Sequence, residues 1–138
     1  MAEIFFLDDS SDEALLTSIL LREANDNIEP SFYLTFEELQ SELDQRFARE
    51  VSFPELIAID LNMPRRDGID IVKWFKGDAR FDGIAVGVCT GSSDPYDRQR
   101  SFAAGADFFV VKPFDHKKLE DARSQADDKR HMSGAHHS

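Results

Sequence analysis

The chain has 138 residues, 41% of them apolar and twelve of them Phe, enough to build one hydrophobic core of ordinary domain size. Sixteen basic against 27 acidic side chains leave a formal charge of −11, and a surface of that sign repels phosphate backbones and anionic lipid, so neither nucleic-acid nor membrane docking is expected. The one cysteine, Cys89, cannot form an internal disulfide, no apolar run approaches a membrane span, and no basic-then-apolar leader is present, so the expected location is the reducing cytoplasm.

Short apolar runs alternate with helix-period stretches along the chain. Residues 4–7 (IFFL), 56–59 (LIAI), 84–89 (IAVGVC) and 108–111 (FFVV) are continuous and rich in β-branched or aromatic side chains, the pattern of strands buried on both faces of a parallel sheet. A fifth strand is expected near residues 32–34. Ser10 and Glu13 have capping-box spacing ahead of Leu15, Leu16, Ile19 and Leu20, and Thr35 and Glu38 repeat it ahead of Leu39, Leu43 and Phe47. Ile69, Val72 and Phe75 share one face after the turn at 65–68. Asp94 followed by Pro95 reads as an N-cap with proline at the first helical position, and that helix ends near Gly105. A last helix starts at about Asp115 and offers Leu119, Ala122 and Ala126 to the core. Five β–α units predict an open, doubly wound α/β sheet with helices on both faces and right-handed crossovers. Residues 1–126 are expected to form a single domain with no linker or output module, and residues 127–138, which hold three of the four histidines, to be a polar, disordered tail.

In an open α/β sheet, ligands bind beyond the carboxyl ends of the strands. The polar residues there are Asp8 and Asp9, Asp60, Thr90 and Lys112: three carboxylates, a hydroxyl and an ammonium on one edge. Packed carboxylates repel one another, and a hard divalent cation relieves the repulsion; Mg²⁺ suits one or two carboxylates plus water and phosphate oxygens. Asp60 can then serve as nucleophile toward a phosphoryl group, with Lys112 supplying compact positive charge, Thr90 a donor hydroxyl, and Gly91 open access. The simpler readings are structural. Asp8 and Asp9 could cap a helix, Asp67-Gly68 could be only a turn, and Asp107 a loop polar residue. Cys89 reads as a packed small hydrophobe and Trp74 as core or rim packing.

The stretches 6–10 (FLDDS), 59–68 (IDLNMPRRDG), 89–91 (CTG) and 105–114 (GADFFVVKPF) resemble the receiver domain of two-component response regulators, with the likeness covering residues 3–122. The resemblance implies a flavodoxin-like five-stranded parallel sheet of order 2-1-3-4-5 with five helices. It makes Asp60 the acceptor of a phosphoryl group from a sensor histidine kinase. It further implies that Asp8, Asp9, Asp60 and the backbone carbonyl of Asn62 hold Mg²⁺ or Mn²⁺, that Thr90 and Lys112 contact the phosphoryl group, and that the Lys112–Pro113 peptide is cis. Phe109 falls at the family's aromatic switch position but lacks the hydroxyl of the commoner Tyr, so a hydrogen-bonded inward state is not open to it. Residues Asn62 and Ser92 lie where the family tunes phosphoryl lifetime. The long Asp9-to-Asp60 spacing, with extra length around residues 26–30 and 45–53, is similar to stand-alone receivers that partner phytochrome-type kinases, some of which form homodimers. Two other functions compete: a constitutive binding module that ignores phosphorylation, and an aspartyl-nucleophile phosphohydrolase. The second needs another Asp two residues after the nucleophile, where this chain has Asn62.

Overall fold

A computed structural model describes residues 1–24 and 27–135. The chain runs β1 (Ala2–Leu7), α1 (Ser11–Ala24), β2 (Ile28–Tyr33), α2 (Phe36–Ala48) and β3 (Leu56–Ile59). It continues through a short hairpin, β4 (Asn62–Met63) and β5 (Arg66–Asp67), into α3 (Gly68–Lys76). A 3₁₀ turn (Ala79–Phe81), β6 (Ala85–Thr90), α4 (Pro95–Ala103), β7 (Phe109–Val111) and α5 (His116–Ala135) follow. The main sheet has order β2-β1-β3-β6-β7 with every pair parallel. With the hairpin set aside this is the expected order 2-1-3-4-5.

Alternation along the strands divides the core into two layers. Phe5, Leu7, Ile57, Ile59, Val86 and Val88 face one side with Leu39, Leu43, Val72 and Phe75 from α2 and α3. Ile4, Phe6, Ala58 and Cys89 face the other, with Leu21 from α1 and Leu119, Ala122 and Ala126 from α5. Successive side chains of a strand point to opposite faces, so continuous apolar runs are what a sheet covered on both sides requires.

The start signals hold. Ser10 Oγ accepts the Glu13 N–H at 3.3 Å, Thr35 Oγ1 accepts that of Glu38 at 3.2 Å, and Asp94 Oδ1 accepts that of Tyr96 at 2.9 Å ahead of Pro95. Asp67 is more than a turn residue: it is the N-cap of α3, accepting from the Ile69 N–H at 2.9 Å. The Lys112–Pro113 peptide is cis.

Three expectations change. Strand β2 begins at Ile28, four residues before the predicted start, because an edge strand needs only one neighbour and so tolerates Glu29 and Pro30, which hide its pattern. In α1 the leucine-rich stripe faces solvent: Leu15, Leu16 and Ile19 are 63%, 43% and 46% exposed, while Thr17 and Leu21 are buried. The phase of that helix is set at its start, where Asp8 and Asp9 stay at the sheet end and Ser10 caps the first turn. The predicted polar tail from Asp127 is instead helical: α5 continues through Ala135, held by Lys129 and Arg130, whose side chains donate to the carbonyls of Gly105 and Gly83. Asp26, in the predicted lengthened segment, and residues 136–138 lie outside the described residues.

Candidate functional site

Four parallel strands deliver the site. β1 ends into Asp8 and Asp9, β3 into Asp60, β6 in Thr90, and β7 one residue before Lys112. Because these strands are parallel and their carboxyl ends lie together, residues up to 104 positions apart meet at one edge. Carboxylate oxygens of Asp8, Asp9 and Asp60 lie within 4.8 Å of one another. Lys112 Nζ donates to Asp8 Oδ2 at 2.6 Å and to Asp60 Oδ2 at 3.4 Å. Asp8 Oδ1 accepts the Ser10 N–H at 2.9 Å, and Asp9 stands exposed beside them.

Asp60 is buried, 6% exposed, and its Oδ1 accepts the Asn62 N–H at 3.2 Å. Burial pushes its carboxyl pKa up and the Asp8 charge adds to that, while the Asn62 N–H and the Lys112 ammonium oppose it. For Lys112, burial alone would lower the pKa, but the hydrogen bond to Asp8 and the charges of Asp60 and Asp8 hold it above its ordinary value. The result is a nucleophilic carboxylate with one oxygen tied to backbone and the other beside a fixed cation.

Thr90 is fully buried, and its Oγ1 accepts from Asn62 Nδ2 at 3.3 Å and from the Ser92 N–H at 3.4 Å. The Asn62 side chain therefore spans the site from the Asp60 loop to the end of β6. The resemblance gives Asn62 a backbone ligand role and a place beside the site; the bridge to Thr90 depends on the β4–β5 hairpin, which leaves Asn62 exposed at the rim yet within reach of the end of β6. Phe109 is buried at 4% exposure in the α3-side layer, with the Arg98 guanidinium carbon 6.0 Å from its ring centroid. Beneath Asp60 lies a cavity of about 20 Å³, room for one water, lined in part by Asp8, Glu13, Thr17, Cys89 and Lys112. Glu13 and Thr17 are not expected there from the sequence, since the leucine-rich stripe of α1 points to a different buried face. Burial pushes the Cys89 thiol up to about 12, which leaves it an inert packing group.

Gly68 explains the glycine that follows Asp67. A Cβ at this position would lie 2.6 Å from the Asp60 carbonyl oxygen and 2.8 Å from the Leu61 Cα. The start of α3 can press against the backbone that carries Asp60 only because no side chain intervenes.

A family model for the response regulator receiver domain matches residues 4–123. The chain belongs to this family. It is therefore a receiver domain of the two-component signalling type, a phosphoacceptor fold. Among curated proteins, it is 36% identical over 67 residues to response regulator Rre1 of Synechocystis sp., and 34% identical over 67 residues to the phosphate regulon transcriptional regulatory protein PhoB of Escherichia coli. Each match covers 49% of this chain but only 29% of the relative, so the matched segment spans less than a third of those proteins. Among solved structures, the bacteriophytochrome response regulator AtBRR aligns with TM-score 0.77 at 24% identity, covering 91% of this chain and 92% of that one. A two-component response regulator from Cytophaga hutchinsonii aligns with TM-score 0.78 at 21% identity over 93% and 98%. These likenesses carry the fold. Among the described residues no helix is long and apolar enough to cross a membrane.

Proposed function

We propose that this receiver takes a phosphoryl group onto Asp60 from a sensor histidine kinase and uses it to switch a protein–protein surface. The observation that carries the reading is the meeting of Asp60 with Lys112, Asp8, Asp9, Asn62 and Thr90 at one sheet edge, with Asp60 nearly buried and paired to a cation. An Asp60 carboxylate oxygen attacks phosphorus, the bond from phosphorus to the donor imidazole nitrogen breaks, and its electron pair stays on the nitrogen. Lys112 swings between Asp8 and the added charge, and Thr90, released from Asn62, donates its hydroxyl to a phosphoryl oxygen.

Three clustered carboxylates fit a hard divalent cation, so Asp8, Asp9, Asp60 and the Asn62 carbonyl would hold Mg²⁺ or Mn²⁺. Bound there, the ion would offset charge on the transferring oxygens. The fold likeness to bacteriophytochrome regulators supports a phytochrome-type kinase as the donor, working in the cytoplasm.

Phosphorylation-independent binding is the second reading, and it is favoured by one observation: Phe109 is already buried with Asp60 unmodified. Intact mass after incubation with Mg²⁺ and acetyl phosphate separates the two. A single added phosphoryl on the wild type and none on Asp60→Asn is the expected result. A folded wild type that never gains mass from acetyl phosphate or any kinase belongs to the second reading.

A further inference from the structure

The outer edge of β7 is closed by side chains of α5 instead of another strand. Phe108 turns its carbonyl toward β6, where the Val88 N–H donates to it at 3.0 Å. One residue on, Phe109 turns both backbone groups to the open edge, as strand alternation requires. Gln125 meets it twice: Oε1 accepts the Phe109 N–H at 2.8 Å and Nε2 donates to the Phe109 carbonyl at 3.1 Å. The amide stands where the peptide of a sixth strand would. Lys118 donates to the Val111 carbonyl, and Lys129 donates to the Gly105 carbonyl at 2.6 Å and to Asp107 Oδ1 at 3.0 Å. Spacings of seven and four put residues 118, 125 and 129 on one stripe of α5.

The ring of Phe109 points away from this edge, into the α3-side layer. It has no hydroxyl, so its polar link to a neighbouring element runs through its backbone to Gln125. Three residues further, the Lys112 N–H donates to the Thr90 carbonyl at 2.8 Å while its Nζ holds Asp8 and Asp60. The site and α5 are therefore joined by a strand of three residues.

We propose that Gln125 is a positioning residue that couples β7 to α5, so that a change at Asp60 reaches α5 by way of this side-chain amide, which grips both backbone groups of one β7 residue. The proposal rests on Asp60 being the acceptor. Without the amide, α5 keeps the packing of Leu119, Ala122 and Ala126 and the contacts of the flexible Lys118 and Lys129 side chains, which hold the helix in place but fix its register along the strand edge less tightly than a paired amide does.

Hydrogen–deuterium exchange of the full chain, read by mass spectrometry with Mg²⁺ and with or without acetyl phosphate, tests it, with intact mass recording the label on the same samples. On labelling, the wild type should change exchange in peptides of residues 116–135 by about threefold or more. Gln125→Ala should label equally, exchange its Phe109 amide about fivefold faster, and lose the label-dependent change in α5. Gln125→Glu, which keeps the acceptor for the Phe109 N–H and lacks the donor for its carbonyl, should show a reduced change and carries the test should Gln125→Ala fail to fold. A labelled wild type with no change in α5, or a labelled variant whose α5 responds in full, overturns the coupling. Absence of label on the wild type instead overturns the acceptor reading, and the coupling with it.

Discussion

Lys112 Nζ sits closer to Asp8, at 2.6 Å, than to Asp60, at 3.4 Å. In the absence of a cation this ammonium is what compensates three crowded carboxylates. Lys112→Met should therefore cost about 2 kcal/mol in buffer containing a chelator, the scale of a hydrogen bond between charged groups. Millimolar Mg²⁺ should restore most of the loss, because the ion replaces the missing positive charge. Thermal melts with and without Mg²⁺ decide this, and an equal loss in both would place the ammonium's role elsewhere.

Mg²⁺ that binds the folded chain and not the unfolded one should raise the melting temperature, by about 1.4 kcal/mol of stabilisation at tenfold its dissociation constant. Asp9 is exposed and pairs with no cationic side chain among the described residues, the position best placed to receive the ion. Asp9→Ala should abolish the stabilisation and Asp60→Ala should weaken it. If all three proteins gain equally from Mg²⁺, the ion is binding elsewhere on the acidic surface.

Burial raises the pKa of Asp60 above the ordinary 3.8. The folded state therefore keeps this proton at pH values where the unfolded chain has released it, so this group's contribution to stability falls as pH rises through that window. Without metal, Asp60→Asn should melt above the wild type at neutral pH, and the gap should close as pH falls toward 3.8. Labelling of the wild type by acetyl phosphate should fall over the same acid window as the nucleophile takes up its proton. A gap that stays constant with pH would assign the difference to packing.

Gly68→Ala drives a Cβ into the backbone of Asp60 and Leu61. About 1–3 kcal/mol of destabilisation is expected from overpacking of this kind, together with slower labelling of Asp60. Gly91→Ala, whose Cβ would meet nothing within 4 Å, is the matched control and should keep the stability of the wild type. Melting curves and labelling rates for the pair are the measurement.

How much was legible before the fold was known depends on how local the signal is. Asp8, Asp9, Asp60, Thr90 and Lys112 could be placed at one edge because each follows an apolar run and parallel strands align their ends. Asp107 could not. It read as a loop polar residue, yet its carboxylate accepts the Val86 N–H at 2.8 Å and pairs with Lys76 of α3 and Lys129 of α5. Its partners are 21, 31 and 22 residues away, and no spacing rule reaches that far. The extension of α5 past Asp127 was missed for a related reason. Its composition is polar, and the carbonyls that anchor Lys129 and Arg130 belong to distant loops.

Composition and pattern by themselves determined an acidic α/β sheet covered on both faces and the chemistry gathered at its edge, because strand burial, helix caps and strand-end side chains are written in neighbouring residues. Tertiary structure alone decided which face of α1 is buried, that the Asn62 side chain reaches Thr90, that Gln125 closes the edge at Phe109, and that Lys112 rests on Asp8. Each of these is a contact between segments whose relative phase comes from packing, where a rotation of one helix or a turn of one hairpin changes the partner without changing the local sequence signal.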